Sequence, residues 1–149
     1  MGIKIITKNK RAHFDFFLQD KVEAGLVLLG TEVKSLRQGK ANITDAYVSI
    51  DQNGEVWLYN MLIPHYEFGN RSNHEETRKR KLLLNHKEIV ELSNKMNQQS
   101  LAIVPTAIYF KNSTVKIEIA LGKGKKNYDK RADQAKKDVE RKLQRGDYD

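Results

Sequence analysis

Polar and apolar residues alternate along two pairs of segments. In residues 45–51 (DAYVSID) Ala46, Val48 and Ile50 share one face and Tyr47 and Ser49 the other. In residues 54–60 (GEVWLYN) Val56 and Leu58 oppose Trp57 and Tyr59. A period of two predicts half-buried strands. Asn53-Gly54 between them predicts a hairpin, because that pair accepts the positive φ of a two-residue turn. A second hairpin is predicted from 101–110 (LAIVPTAIYF), the connector KNST, and 115–121 (VKIEIAL), where Val115, Ile117, Ile119 and Leu121 face away from Lys116 and Glu118. Pro105 has no N–H for a ladder, so its strand is an edge there or carries a bulge. Residues 13–30 (HFDFFLQDKVEAGLVLLG) read as two strands joined near Gln19-Asp20.

The period lengthens in two places. Residues 31–39 (TEVKSLRQG) predict a short helix capped at Thr31 and stopped at Gly39. Residues 85–98 (NHKEIVELSNKMNQ) predict a longer one: Asn85 caps, Glu88 sits three residues on, and Ile89, Leu92 and Met96 mark the buried stripe. The fold class is therefore mainly β with short helices. About six short strands in one small unit point to a closed or partly closed β-barrel with flanking helices, since a flat sheet of that size exposes edges. The expected organisation is a barrel over residues 1–121 and a basic C-terminal tail over 122–149. The tail holds few large apolar side chains, so it is expected to be disordered when free. Its segment RADQAKKDVERKLQR places Ala135, Val139 and Leu143, and likewise Lys137, Arg141 and Arg145, at i, i+4 spacing, which suits a basic amphipathic helix on a partner surface.

The chain has 149 residues, 39% hydrophobic, which suits one domain able to bury roughly two-thirds of its unfolded surface. Lys and Arg number 27 against 19 Asp and Glu, for a net charge of +8. That charge leaves the fold open but favours a polyanionic partner. The absence of cysteine excludes disulfides and Cys-based zinc sites. The opening MGIKIITKNKRAHF has no long apolar core or small-residue cleavage site, and no apolar run reaches the length of a membrane span. A soluble, cytoplasmic chain without a membrane partner is expected.

Charge then gathers in three places. Arg78, Lys79, Arg80 and Lys81 follow a polar segment with Tyr66 and Phe68 just upstream, a mixture of phosphate attraction and stacking surface that favours RNA contact over a merely solvated loop. Lys34 and Arg37 share one face of the short helix, which alone is ordinary amphipathicity. The stretch GKGKKNYDKR sets Lys123, Lys125, Lys126, Lys130 and Arg131 around Asp129. Its amphipathic continuation carries too little apolar surface for a membrane, so nucleic acid is preferred.

Catalytic patterns are weak. His13, His65, His74 and His86 lack ligand spacing, no serine sits in a nucleophile elbow, and GKGKK is not a phosphate loop. No catalytic residue, metal or cofactor is expected. Glu32 is read as a favourable charge in a helix first turn. Glu23, between strand formers beside Gly25, suits either base readout or a nuclease carboxylate.

Taken together, NKRAHFDFF…EAGLVLLGTEVKSLRQGKANITDAYV, TRKRKLLLNHKEI and GKGKKNYDKR, in that order over nearly the full chain, resemble the bacterial small protein B, or SsrA-binding protein, family. The resemblance implies an OB-like barrel that binds the tRNA-like domain of transfer-messenger RNA near its elbow. It implies entry into ribosomes stalled without a stop codon, tagging of the incomplete peptide and release of the ribosome, with no catalysis by the protein. It implies a tail that folds into a helix along the empty message channel beside the 16S ribosomal RNA of the small subunit; a monomer in a 1:1 complex with the RNA is expected because a +8 surface disfavours self-association. Glu23 and the pair Leu84-Asn85 fall on the family's RNA contacts, and Lys123, Lys125, Lys126, Lys130 and Arg131 on its basic tail residues. Phe14 and Phe16 lie in a run where the family usually carries Arg-His-Asp/Glu-Tyr; both rings can still stack. The alternative from a neighbouring class is a generic OB-fold binder of single-stranded RNA.

Overall fold

The computed structural model describes residues 2–67, 73–126, 130–132 and 134–139. Its elements run β1 (Ile3–Lys8), α1 (Lys10–Asp15), β2 (Phe16–Leu26), α2 (Gly30–Arg37), β3 (Tyr47–Ile50), β4 (Val56–Tyr59), β5 (Arg80–Leu83), α3 (His86–Gln98), β6 (Ala102–Lys111) and β7 (Thr114–Gly124). The protein is mainly β-sheet with short helices. Strands are ordered β1-β6-β3-β4-β5-β2-β7, and β7 also pairs with β6. The hydrogen-bonded circuit β6-β3-β4-β5-β2-β7 thus returns to its start, with β1 added outside β6. The inward positions of the circuit, among them Leu58, Ile108, Ile117, Ile119 and Leu121, lose all solvent contact, as do Met61 and Ile63 in the segment after β4. Leu36 and Leu92 join them from the helices, with Ile89 and Met96 packed against the cluster.

Both predicted hairpins form, with one change of turn. The second is a two-residue turn: Lys111 pairs with Thr114, and Asn112 and Ser113 both take positive φ, 50° and 72°. Pro105 sits at a bulge, where Thr106 is the extra residue and its hydroxyl donates to the Glu118 carboxylate at 2.6 Å. The first hairpin turns over a longer loop, and only Gly54 of the Asn53-Gly54 pair has positive φ, at 77°. The Asp51 carboxylate organises that loop by accepting from the amides of Asn53 and Glu55 and from Trp57 Nε1.

The helices keep their expected signals. Asn85 and Glu88 make a reciprocal capping box at α3. Gly39, φ 75°, ends α2 in a Schellman arrangement, with the Gly39 amide donating to Leu36 O and the Lys40 amide to Ser35 O. The cap of α2 is corrected: Leu29, not Thr31, precedes the first turn, and Glu32 accepts from the Leu29 amide.

Upstream, the two expected strands are one. β2 is continuous, and a bulge at Gln19–Val22, with Asp20 at φ 54°, takes the place of the expected turn. Residues 13–15 belong to α1 rather than to a strand. Asn9 caps that helix through the Ala12 amide and uses its side-chain amide to hold Ile43 O and Pro105 O. β7 continues to Gly124, so residues 122–124, expected as tail, lie in the sheet. Residues 130–132 and 134–139 are helical.

Candidate nucleic-acid interface

The outer face of the circuit carries the first group of expected contacts. Glu23 on β2 stands opposite Glu118 on β7, and Gly25 opposite Lys116. Tyr109 on β6 faces Lys116 from the other side of β7. Its ring spans that strand, and its hydroxyl donates to Glu23 Oε1 at 2.5 Å. Lys111 Nζ lies 3.4 Å from Glu23 Oε2. The Tyr109 hydrogen bond, with Lys111 and Lys116 adding to it against partial burial, holds the Glu23 carboxyl below the usual range. Burial and donation to Glu23 push the Tyr109 phenol up.

Gly25 also pairs with Leu83, which brings the end of β5 beside Glu23's strand. Strand alternation sorts the leucines. Leu82 is buried, Leu83 is 53% exposed on the outer face, and Leu84 is half-buried against the core. Asn85 is exposed at the start of α3 and uses its Oδ1 to cap Glu88. The family-derived contacts Glu23, Leu84 and Asn85 therefore come from adjoining segments, and the leucine displayed outward is Leu83.

The segment Arg78–Lys81 divides in a way its composition hides. Arg80 is fully buried, which corrects its expected place on an RNA-facing surface. It points inward from β5, donating to Glu32 Oε2 at 2.6 Å, Met61 O at 2.6 Å and Glu76 O at 2.9 Å. Arg78 is only a quarter exposed and also pairs with Glu32. Burial pushes the Glu32 carboxyl up, but hydrogen bonds from Arg78, the Leu29 amide and Arg80 outweigh it and leave it lowered. Lys79 lies 4.4 Å from the centre of the Trp57 ring, and Lys81 lies 3.5 Å from Glu55. The loop before this segment is tied by His74, buried between Thr31 Oγ1 at 2.9 Å and Ile63 O at 2.8 Å. Since Nε2 donates to the carbonyl, Nδ1 accepts from the Thr31 hydroxyl in the neutral ring. Phe68 lies outside the described residues.

On α2, Lys34 and Arg37 are both exposed. Lys34 Nζ sits 5.5 Å from the Tyr66 ring centre, and Arg37 lines an open cleft with Lys4, Phe110, Asn112 and Ser113. Along the basic stretch, Lys123 is exposed beside Phe17, and Lys126 and Arg131 are exposed. Lys125 turns back onto α1: its amide donates to Asp15 O at 2.8 Å and its Nζ to His13 O at 3.2 Å. Lys130 pairs with Asp15 at 3.2 Å, and both Lys130 and Lys137 lie within 6 Å of the Phe14 ring centre. Arg141 and Arg145 lie outside the described residues.

A family model described as "SmpB protein" matches residues 6–147. The chain belongs to the SmpB family. It is 54% identical over 143 residues to the "SsrA-binding protein" of Pelobacter propionicus, covering 96% of this chain and 93% of that protein. It is 52% identical over 144 residues to the "SsrA-binding protein" of Desulfitobacterium hafniense, with 97% and 92% covered. A solved chain from "tmRNA-SmpB: a journey to the center of the bacterial ribosome" matches with a TM-score of 0.68 at 41% identity, over 81% of this chain and 85% of that one. In this SmpB-family chain, the composition of single segments does not show that Tyr109 and Lys111 reach Glu23, with Lys116 adding its charge nearby. The available signal was the alternation of β6 and β7, which puts Tyr109, Lys111 and Lys116 opposite to the buried Ile108 and Ile117.

Proposed function

We propose that this chain binds the tRNA-like domain of transfer-messenger RNA and delivers it to stalled ribosomes for trans-translation in the cytoplasm. The message part of that RNA then directs a degradation tag and frees the ribosome. The observation that carries this reading is the likeness to SsrA-binding proteins over nearly the whole chain. We read the strand circuit as a small OB-like barrel whose outer face around Glu23, with Leu84 and Asn85 alongside, meets folded RNA one to one. The protein acts by binding and catalyses nothing. Lys34, Arg37 and Lys81 contribute phosphate attraction from flanking positions; Arg80 is left out of the contact set because its donors are used internally. The basic stretch from Lys123 through Lys137, with Arg141 and Arg145, lies along phosphates of the 16S ribosomal RNA in the empty message channel, where an occupied channel would exclude it sterically.

The direct test of the face is Glu23→Ala. Affinity for the tRNA-like domain should fall by about tenfold with the thermal midpoint unchanged. Full affinity would reject this face. RNA cleavage that disappears in the variant while binding persists would move the assignment to a nuclease. The tail is tested by ending the chain after Lys126, which keeps all of β7: RNA binding should persist and peptide tagging should be lost.

A further inference from the structure

Glu23 is an exposed glutamate on a strand, directly opposite another glutamate. Like charges placed so destabilise a sheet, and a side chain with several free torsions loses entropy when a ligand orders it. Two features relieve this. Glu118 is drawn toward Thr106, whose hydroxyl donates to it at 2.6 Å. Glu23 is held from the other direction by Tyr109, which reaches across β7 from β6.

We propose that Tyr109 is the positioning residue for Glu23 in RNA recognition: its hydroxyl fixes the carboxylate across β7, so that the remaining acceptor sites face outward toward an amino-bearing base edge. This rests on Glu23 being an RNA contact. A carboxylate offers about four acceptor sites, and Tyr109 and Lys111 occupy only two directions. The remainder suit paired N–H donors such as those of guanine, or the amino group of cytosine. Tyr109 makes no claim on the base itself; its part is to keep the acceptor ionised and aimed before the RNA arrives. The groups facing Glu23 are charged Lys111 and the neutral, titratable Tyr109 phenol from β6, and Lys116 and Glu118 from β7. Of these the Tyr109 hydrogen bond has the largest lowering effect on its carboxyl.

The test is a double-mutant cycle on the full chain with the tRNA-like domain of transfer-messenger RNA as probe. Glu23→Gln, Tyr109→Phe and the double variant are titrated from neutral pH down through the carboxylate range. Tyr109→Phe keeps the ring and should weaken binding by about tenfold in the parent. In the Glu23→Gln background it should have no further effect. The pH at which acid weakens binding should rise in Tyr109→Phe, because the bond that keeps the carboxyl low is gone. Equal losses in both backgrounds, or an unmoved pH profile, would overturn the positioning role while leaving Glu23 a contact. A Glu23→Gln variant with full affinity would overturn the contact itself, and the proposal with it.

Discussion

Glu32 decides which cations of the Arg78–Lys81 segment reach the surface. An arginine buried as completely as Arg80 survives only where its charge and N–H groups are answered, and Glu32 with two carbonyls answers them. Removing one partner leaves an uncompensated buried charge. Glu32→Ala should therefore lower the free energy of unfolding by about 3–5 kcal/mol, read from the urea midpoint. The sign of its pH dependence follows from the lowered carboxyl. The unfolded glutamate takes up its proton at higher pH than the folded one. The stabilisation is complete above the ordinary carboxylate range and is lost as pH falls through the folded value. Chemical denaturation from neutral pH into acid should show that loss in the parent, and a smaller one in Glu32→Gln. At Gly122 the demand is steric. A Cβ would come within 3.0 Å of three Phe16 atoms, so Gly122→Ala should cost about 1–3 kcal/mol on the same assay.

At the scale of elements, the second hairpin rests on two non-glycine residues in the left-handed region. Ser113→Gly should raise the urea midpoint by an amount equivalent to about 0.5–1 kcal/mol, since Asn-Gly suits the observed turn better than Asn-Ser. That hairpin was legible in the sequence because Val115, Ile117, Ile119 and Leu121 alternate along its second strand and a short polar connector separates the two apolar runs. α3 was legible for a similar reason: its capping box and its Ile89–Leu92–Met96 stripe agree. Two strands were not predicted. β1 pairs on one side only, and Ile3 and Ile5 stay exposed, so burial leaves little mark on its pattern. β5 looked like a basic surface run, because Arg80 occupies an inward position normally taken by an apolar residue. The turn expected at Gln19-Asp20 became a bulge: positive φ at Asp20 was enough to bend β2 without reversing it.

At the scale of the molecule, folding separates two uses of positive charge. Arg80 and Arg78 serve the Glu32 cluster, while Lys111 and Lys116 surround Glu23 on the outer face. Of the candidate site, Glu23 was legible from the residues themselves, and Leu84 and Asn85 only through the family resemblance. Its supporting side chains were not, because Tyr109 lies 86 positions from Glu23 and meets it only across β7. A net charge of +8 attracts any nucleic acid, with an affinity that falls steeply as salt rises. Recognition of one folded RNA adds contacts that salt does not remove. The central claim is therefore tested most directly by competition binding over a salt series. Labelled tRNA-like domain of transfer-messenger RNA is challenged with ordinary tRNA and with an unstructured RNA of equal length. A preference for the tRNA-like domain of at least about tenfold that persists at high salt is expected. Equal binding to all three RNAs, collapsing together as salt rises, would contradict it.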